Sequence, residues 1–72
     1  MDNKNKIKII VNGKQMKVNL NLSVKNLIDK LNLPSNKIAI ELNRIIINKK
    51  NISKKILKSG DRLEIVHFIG GG

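Results

Sequence analysis

The chain contains no cysteine. A disulfide framework, a cysteine-ligated metal site and a thiol nucleophile are therefore excluded for this chain. Histidine is nearly as scarce: His67 is the sole example and cannot form a histidine-rich metal site by itself. Function classes that depend on several such side chains can be set aside.

Aromatic residues are almost as rare, since Phe68 is the one aromatic side chain in 72 residues. The core must be built from Ile, Leu and Val, each of which contributes roughly 1.5–3 kcal/mol when buried. A chain of this length makes one small domain. We expect a single domain over residues 1–72, with a flexible N-terminal extension at residues 1–5 and a flexible tail at residues 69–72.

Long apolar runs are also missing. No segment approaches the roughly 20 apolar residues of a transmembrane helix. The polar opening Met1–Lys4 leads directly into a strand-like segment and shows no signal-peptide pattern. We therefore expect a soluble, cytoplasmic protein.

Acidic residues are few. The chain has five Asp and Glu residues and fifteen Lys and Arg residues, which gives a formal charge of +10. Such a charge is typical of nucleic-acid binding, since basic side chains neutralise phosphates. Base readers favour arginine and single-strand binders use aromatic platforms, yet this chain has only Arg44, Arg62 and Phe68. The abundance of Lys, Asn and Ile favours a compositional bias, and a basic nucleic-acid-binding module remains an alternative.

The first third of the chain predicts a β-hairpin. Residues Lys6–Val11 place Ile7, Ile9 and Val11 on one face, with Lys6 and Lys8 on the other, as in a half-buried strand. Asn12-Gly13 is a strong signal for a type I′ turn. The returning strand carries its apolar side chains at alternate positions, which are Met16, Val18 and Leu20.

The next segment predicts an amphipathic helix. Ser23 is a good N-cap residue, and Asn32 followed by Pro34 ends the helix soon after Leu31. Asn26 occupies the position where Glu or Gln would complete a capping box. The apolar stripe has helical spacing and consists of Val24, Leu27, Ile28 and Leu31.

The second half predicts short strands joined by turns. A strand at Lys37–Leu42 is followed by an Asn43-Arg44 turn and a short strand at Ile45–Ile47. Residues 48–58 suit a turn of helix or an irregular crossing segment, and Ser59-Gly60-Asp61 forms a turn before a last strand, Arg62–Phe68. This order predicts an α+β β-grasp roll, with one main helix packed across a mixed sheet of four or five strands.

Three glycines, Gly70, Gly71 and Gly72, follow the last apolar run. Glycine lacks a Cβ and loses the most conformational entropy on ordering, so a triplet does not pack by itself. No phosphate-binding glycine loop is present, because no helix follows these glycines. Such a tail suits passage of the backbone through a narrow gap into another protein.

Three stretches together resemble the ThiS family, the ubiquitin-like sulfur carriers of thiamine (thiazole) biosynthesis. They are Ala39–Asn43, the turn Ser59–Arg62 and the ending Glu64–Gly72. Arg44 departs from the glycine that many relatives carry, and Asn48-Lys49 stands where a Pro-Arg pair is common. The resemblance covers nearly the whole chain after Lys6.

The resemblance implies a protein that other enzymes act upon, with no catalytic residue of its own. The Gly72 carboxylate would be adenylated by an E1-like enzyme of the ThiF type using ATP. A cysteine-persulfide donor would convert it to a thiocarboxylate, which thiazole synthase of the ThiG type would use as its sulfur source. Gly71 would give access to the carbonyl and Gly70 would add reach. No cofactor is bound stably on this view, and the acyl-adenylate and thiocarboxylate are transient covalent forms.

The last strand also carries candidate docking groups. Alternation from Leu63 and Ile65 sends Val66 and Phe68 to the opposite face, where they either cover the sheet edge or dock partner enzymes. The same alternation predicts a partly buried His67 without a catalytic role. Arg44, Lys58 and Arg62 are expected to be solvated charges that could pair with an acidic partner surface.

A closely related alternative is the small subunit of molybdopterin synthase, a MoaD-like carrier that shares the fold, the tail and the activation chemistry. It would deliver sulfur to a pterin precursor instead of thiazole synthase. The identity of the acceptor enzyme separates the two interpretations.

Overall fold

The computed structural model describes residues 5–67. Five strands form one mixed sheet in the order β2-β1-β5-β3-β4. The strands are β1 (Lys6–Val11), β2 (Lys14–Asn19), β3 (Ile38–Leu42), β4 (Ile45–Ile46) and β5 (Arg62–His67), with the helix α1 at Val24–Lys30. The expected β-grasp architecture is confirmed. The candidate tail residues Gly70, Gly71 and Gly72, together with Phe68, lie outside the described residues.

Both tight hairpins have the geometry that their sequences indicate. Asn12 and Gly13 have φ angles of 50° and 84°, and Asn43 and Arg44 have φ angles of 52° and 71°. Two successive positive φ angles define the type I′ turn, whose twist matches that of the flanking strands. The predicted turns are confirmed, although the second turn places an arginine where glycine is favoured.

The predicted helix is capped at both ends. The Ser23 side chain accepts a hydrogen bond from the Asn26 main-chain N–H, and its hydroxyl donates to the Asn26 side chain. At the other end Asn32 has a φ of 57°, and the Leu33 N–H donates to the Ile28 carbonyl at 3.1 Å. This is a Schellman arrangement with asparagine in the left-handed position, which ends the helix before Pro34.

The core is aliphatic and lies between α1 and one face of the sheet. Its buried members come from every strand except β4, from the helix and from the crossing segment at residues 48–58. They are Ile9, Val11, Val18, Val24, Leu27, Ile28, Ile38, Ile40, Leu42, Ile52, Leu57, Leu63 and Ile65.

β3 begins at Ile38, one residue later than predicted, because Lys37 ends a 3-10 turn at Ser35–Lys37. The sequence expectations were wrong at three further places. β2 ends at Asn19, and Leu20 is 49% exposed because Asn21 turns the chain at a φ of 67° and brings Leu22 toward the core instead. β4 ends at Ile46 rather than Ile47. The third difference, at His67, concerns the candidate site.

Candidate functional site

The strand that leads to the glycine tail is the middle strand of the sheet. β5 pairs in antiparallel fashion with β3 from Leu42↔Leu63 to Ile38↔His67. Its parallel pairing with β1 is shorter and covers Ile10↔Arg62 and Val11↔Leu63. The first half of β5 is thus held on both sides, and its second half has a strand neighbour only in β3.

The side chain of Asn12 continues the β1 side of this pairing beyond the end of β1. Its Oδ1 accepts from the Ile65 N–H at 2.7 Å, and its Nδ2 donates to the Ile65 carbonyl at 3.3 Å. The Asn12 main-chain N–H donates to the Leu63 carbonyl at 2.9 Å. One turn residue therefore satisfies main-chain groups of β5 that would otherwise lack a partner on that side.

Asn43 performs a similar role at the start of β5. Its Oδ1 accepts from the Arg62 N–H and its Nδ2 donates to Asp61 Oδ1, both at 3.0 Å. Asp61 Oδ2 in turn accepts from the Lys58 N–H at 2.8 Å. Sequence reasoning identified Asn12 and Asn43 as turn residues and missed these bonds, which connect positions far apart in the chain.

Burial decreases along β5 toward its end. Leu63 is fully buried, Ile65 is buried at 9% exposure, and His67 is exposed. The predicted partial burial of His67 is wrong. The pairing of β1 with β5 ends at Leu63, so the last residues of β5 have no β1 residue beside them. The strand is anchored in the core at its start and emerges at the surface where the chain continues to Phe68.

The outer face of the sheet beside the end of β5 is partly apolar. Val66 is 57% exposed and lies opposite Ala39, as its alternation predicts. Glu64 and Glu41 lie opposite each other on the same face. Phe68, the second predicted docking residue, lies outside the described residues and remains a prediction.

No cluster of three or more His, Asp or Glu side chains within residues 5–67 is placed to hold a metal ion. No helix in the described range is long and apolar enough to cross a membrane. The features that stand out are a rigidly held β5 and the exposed surface at its end.

Comparisons with known proteins agree with this architecture. A model of the ThiS family matches residues 5–72. The crystal structure of the thiamine biosynthesis protein ThiS from Geobacter metallireducens superposes with a TM-score of 0.80 at 29% identity, covering 92% of this chain and 100% of that one.

Curated relatives fall into two groups. Thiazole synthases from Paramagnetospirillum magneticum and Magnetococcus marinus are 36% and 30% identical over 66 residues. This chain spans 20% of the length of each of those two relatives. An uncharacterised protein, ycf40, from Porphyra purpurea is 33% identical over the full length of both chains. With a family match that covers all but its first four residues, the chain belongs to the ThiS family.

Proposed function

We propose that this chain is a sulfur carrier of thiamine biosynthesis and that the Gly72 carboxyl group carries the sulfur. The observation that supports this most strongly is the ThiS family match, which extends through Gly70, Gly71 and Gly72. The fold adds a physical reason, since the strand before these residues is the central strand of the sheet. A rigid domain can thereby present a short segment without side chains to an enzyme.

The proposed chemistry begins with activation, because a carboxylate is a poor electrophile. An E1-like enzyme of the ThiF type joins the Gly72 carboxylate to the α-phosphate of ATP and releases pyrophosphate. The terminal sulfur of a cysteine persulfide then attacks the carbonyl carbon and AMP leaves, which gives an acyl disulfide. A second thiol attacks the donor cysteine's sulfur in that disulfide, so that the sulfur–sulfur bond breaks, a disulfide forms on the donor side and the thiocarboxylate is released.

In this scheme the chain is a protein co-substrate, and the partner enzymes supply the ATP site and the activating groups. Gly71 and Gly72 have no Cβ, so the nucleotide and the attacking sulfur can approach the carbonyl closely. Gly70 extends the reach of the segment beyond β5. The absence of cysteine means that no thiol of this chain can capture the activated acyl group.

We propose that partner enzymes dock on the outer face of the sheet at the end of β5. Val66 and Ala39 supply apolar area there, and Glu41 and Glu64 supply negative charge in a strongly basic protein. A complementary surface would carry an apolar patch bordered by arginine or lysine. Phe68 follows in the sequence and is proposed to add to the apolar contact.

We propose thiazole synthase as the enzyme that receives the sulfur. Relatives of that name contain a segment like this chain within a much longer protein. Proximity within one polypeptide raises the effective concentration of a carrier at its acceptor. This favours thiazole synthase over the large subunit of molybdopterin synthase.

The activation step can be tested by exchange of labelled pyrophosphate into ATP. Exchange catalysed by the E1-like enzyme is expected to depend on this chain and to be lost when one alanine is added after Gly72. Circular dichroism of the extended chain should match that of the parent and show that the fold is intact. Equal exchange with the extended chain would overturn the assignment of Gly72.

The choice of acceptor is tested with the thiocarboxylate form. Sulfur transfer is expected with thiazole synthase and not with the molybdopterin synthase large subunit. Transfer to the molybdopterin synthase large subunit alone would establish that this chain is the small subunit of that enzyme.

A further inference from the structure

A second surface lies along β4 and near the start of β5. A groove of about 800 Å³ runs between β4 and the stretch at residues 54–58. Asp61, directly before β5, lies at its border.

The walls of the groove expose aliphatic side chains. Ile45 is 70% exposed and Ile56 is 41% exposed, and both line it. Ile46 also lines the groove and is 72% exposed, whereas six other isoleucines are buried in the core. Exposed apolar area of this kind commonly marks a contact site. The groove therefore suits a ligand with apolar side chains.

The rim of the groove is basic. Lys54, Lys55 and Lys58 line it, and Asp61 is the one acid among the lining residues that the structure describes. Both Asp61 carboxylate oxygens already accept hydrogen bonds, one from Asn43 Nδ2 and one from the Lys58 N–H. Residues 43–60 contain six of the fifteen basic residues and no acid. The described lining residues carry three positive charges against one negative charge, which leaves the groove with a net positive charge.

One wall of the groove is β4, which has no strand neighbour on its outer side within residues 5–67. β4 is the outermost strand, and Ile45 lies opposite Leu42 across the tight turn. The Ile47 N–H donates to the Ile40 carbonyl at 2.9 Å, so alternation directs the Ile46 N–H and C=O away from β3. An extended peptide can use such an edge by adding main-chain hydrogen bonds.

We propose that this groove binds an extended acidic segment of a partner protein, with aliphatic side chains against Ile45 and Ile56 and carboxylates near the lysines. Nucleic acid fits the groove less well, because none of the lining residues in the range 5–67 is aromatic and able to stack a base. The site does not depend on the proposed sulfur chemistry.

The test is a titration of the isotopically labelled full chain, followed by amide NMR shifts. The probe is a capped peptide of four valines flanked by aspartates. Saturable shifts are expected at residues 45–47 and 54–58, with affinity that falls as salt rises. Peptides with lysine in place of aspartate, or serine in place of valine, are expected to bind at least ~10-fold more weakly.

Matched variants locate the site. Ile56→Ser and the double change Lys54→Glu with Lys55→Glu are each expected to weaken binding by about 10-fold. Leu20→Ser and the double change Lys14→Glu with Lys17→Glu remove a similarly exposed leucine and the same amount of charge elsewhere, and should leave binding unchanged. Unfolding midpoints of all variants identify any loss that is due to folding.

Three results would overturn the proposal. The first is the absence of saturable shifts in the groove. The second is shifts spread evenly over all lysines whatever the peptide, which would indicate charge attraction alone. The third is binding of an oligothymidylate at the same residues that is tighter than binding of the valine–aspartate peptide, which would assign the groove to nucleic acid.

Discussion

At the scale of single residues, the two type I′ turns provide a natural comparison. Asn12-Gly13 has the favoured sequence, whereas Asn43-Arg44 places an L-residue with a side chain at a φ of 71°. The left-handed conformation costs such a residue roughly 1–2 kcal/mol. The second hairpin forms despite this cost, held by the Asn43 bonds to Asp61 and Arg62.

Arg44→Gly is expected to stabilise the protein by about 1 kcal/mol, because glycine adopts this φ without strain. The reciprocal change Gly13→Arg is expected to destabilise it by a similar amount. No atom lies within 4 Å of a Cβ added at Gly13, so the cost there is conformational and not a clash. Urea unfolding measures both, and changes of the same sign would contradict the turn assignment.

Val66→Ser should lower kcat/KM for adenylation by the E1-like enzyme about 10-fold, because it removes exposed apolar area from the proposed docking face. Leu20→Ser is the matched control, since Leu20 is 49% exposed and lies outside that face. Equal losses in the two variants would argue against docking at Val66. Pyrophosphate exchange at varied carrier concentration gives the comparison.

At the scale of elements, β5 is the strand on which the proposed function depends. Its pairing with β1 ends at Leu63, and the Asn12 side chain then replaces a strand neighbour by bonding both main-chain groups of Ile65. The end of β5 that leads to the tail is therefore held by β3 on one side and by one asparagine on the other.

Asn12→Gly retains a residue that tolerates positive φ and removes only the side-chain bonds. We expect a loss of about 1–2 kcal/mol in the free energy of unfolding and faster exchange of the Ile65 amide. Asn21→Gly is the control, because Asn21 also has positive φ and no side-chain bond to the described residues. Equal effects at both positions would show that the Asn12 bonds do not hold β5.

Local elements could be predicted from sequence because their determinants are local. The β1 bounds, the Asn12-Gly13 turn and the Ser23 cap each depend on residues a few positions apart. The Asn12 bonds to Ile65 span 53 positions, so they require a strand register that no local pattern contains. The groove was missed for the same reason, since it forms where two separate segments, residues 45–47 and 54–58, come together.

Burial at the ends of strands was also beyond the local pattern. Alternation placed His67 on the face of Leu63 and Ile65, and it could not show that β1 stops short of it. Alternation also placed Leu20 in β2. It could not show that Asn21 adopts a positive φ and turns the chain away from the strand direction.

At the scale of the whole molecule, stability and the proposed function reside in different parts of the chain. Every buried core residue in the described range lies between Ile9 and Ile65, whereas the proposed reactive group is at Gly72. Deletion of Gly70–Gly72 should therefore abolish activation and leave the free energy of unfolding unchanged within about 0.5 kcal/mol.

The same deletion separates the carrier from a nucleic-acid-binding module. Any affinity for DNA that comes from the +10 charge should survive the deletion and fall steeply with salt. A nucleic-acid-binding module would keep its function in the deleted chain, whereas the carrier would lose its function. Undiminished activation of the deleted chain by the E1-like enzyme would contradict the carrier account, because that account places the reactive carboxyl group at Gly72.

The central claim is that Gly72 receives sulfur at its carboxyl group. Intact-mass measurement after incubation with magnesium ATP, the E1-like enzyme, a persulfide donor and a thiol tests it most directly. The account predicts a mass increase equal to the difference between sulfur and oxygen, located in the C-terminal peptide and absent when alanine follows Gly72. An unchanged mass, with enzymes that sulfurate their own carrier under the same conditions, would contradict it.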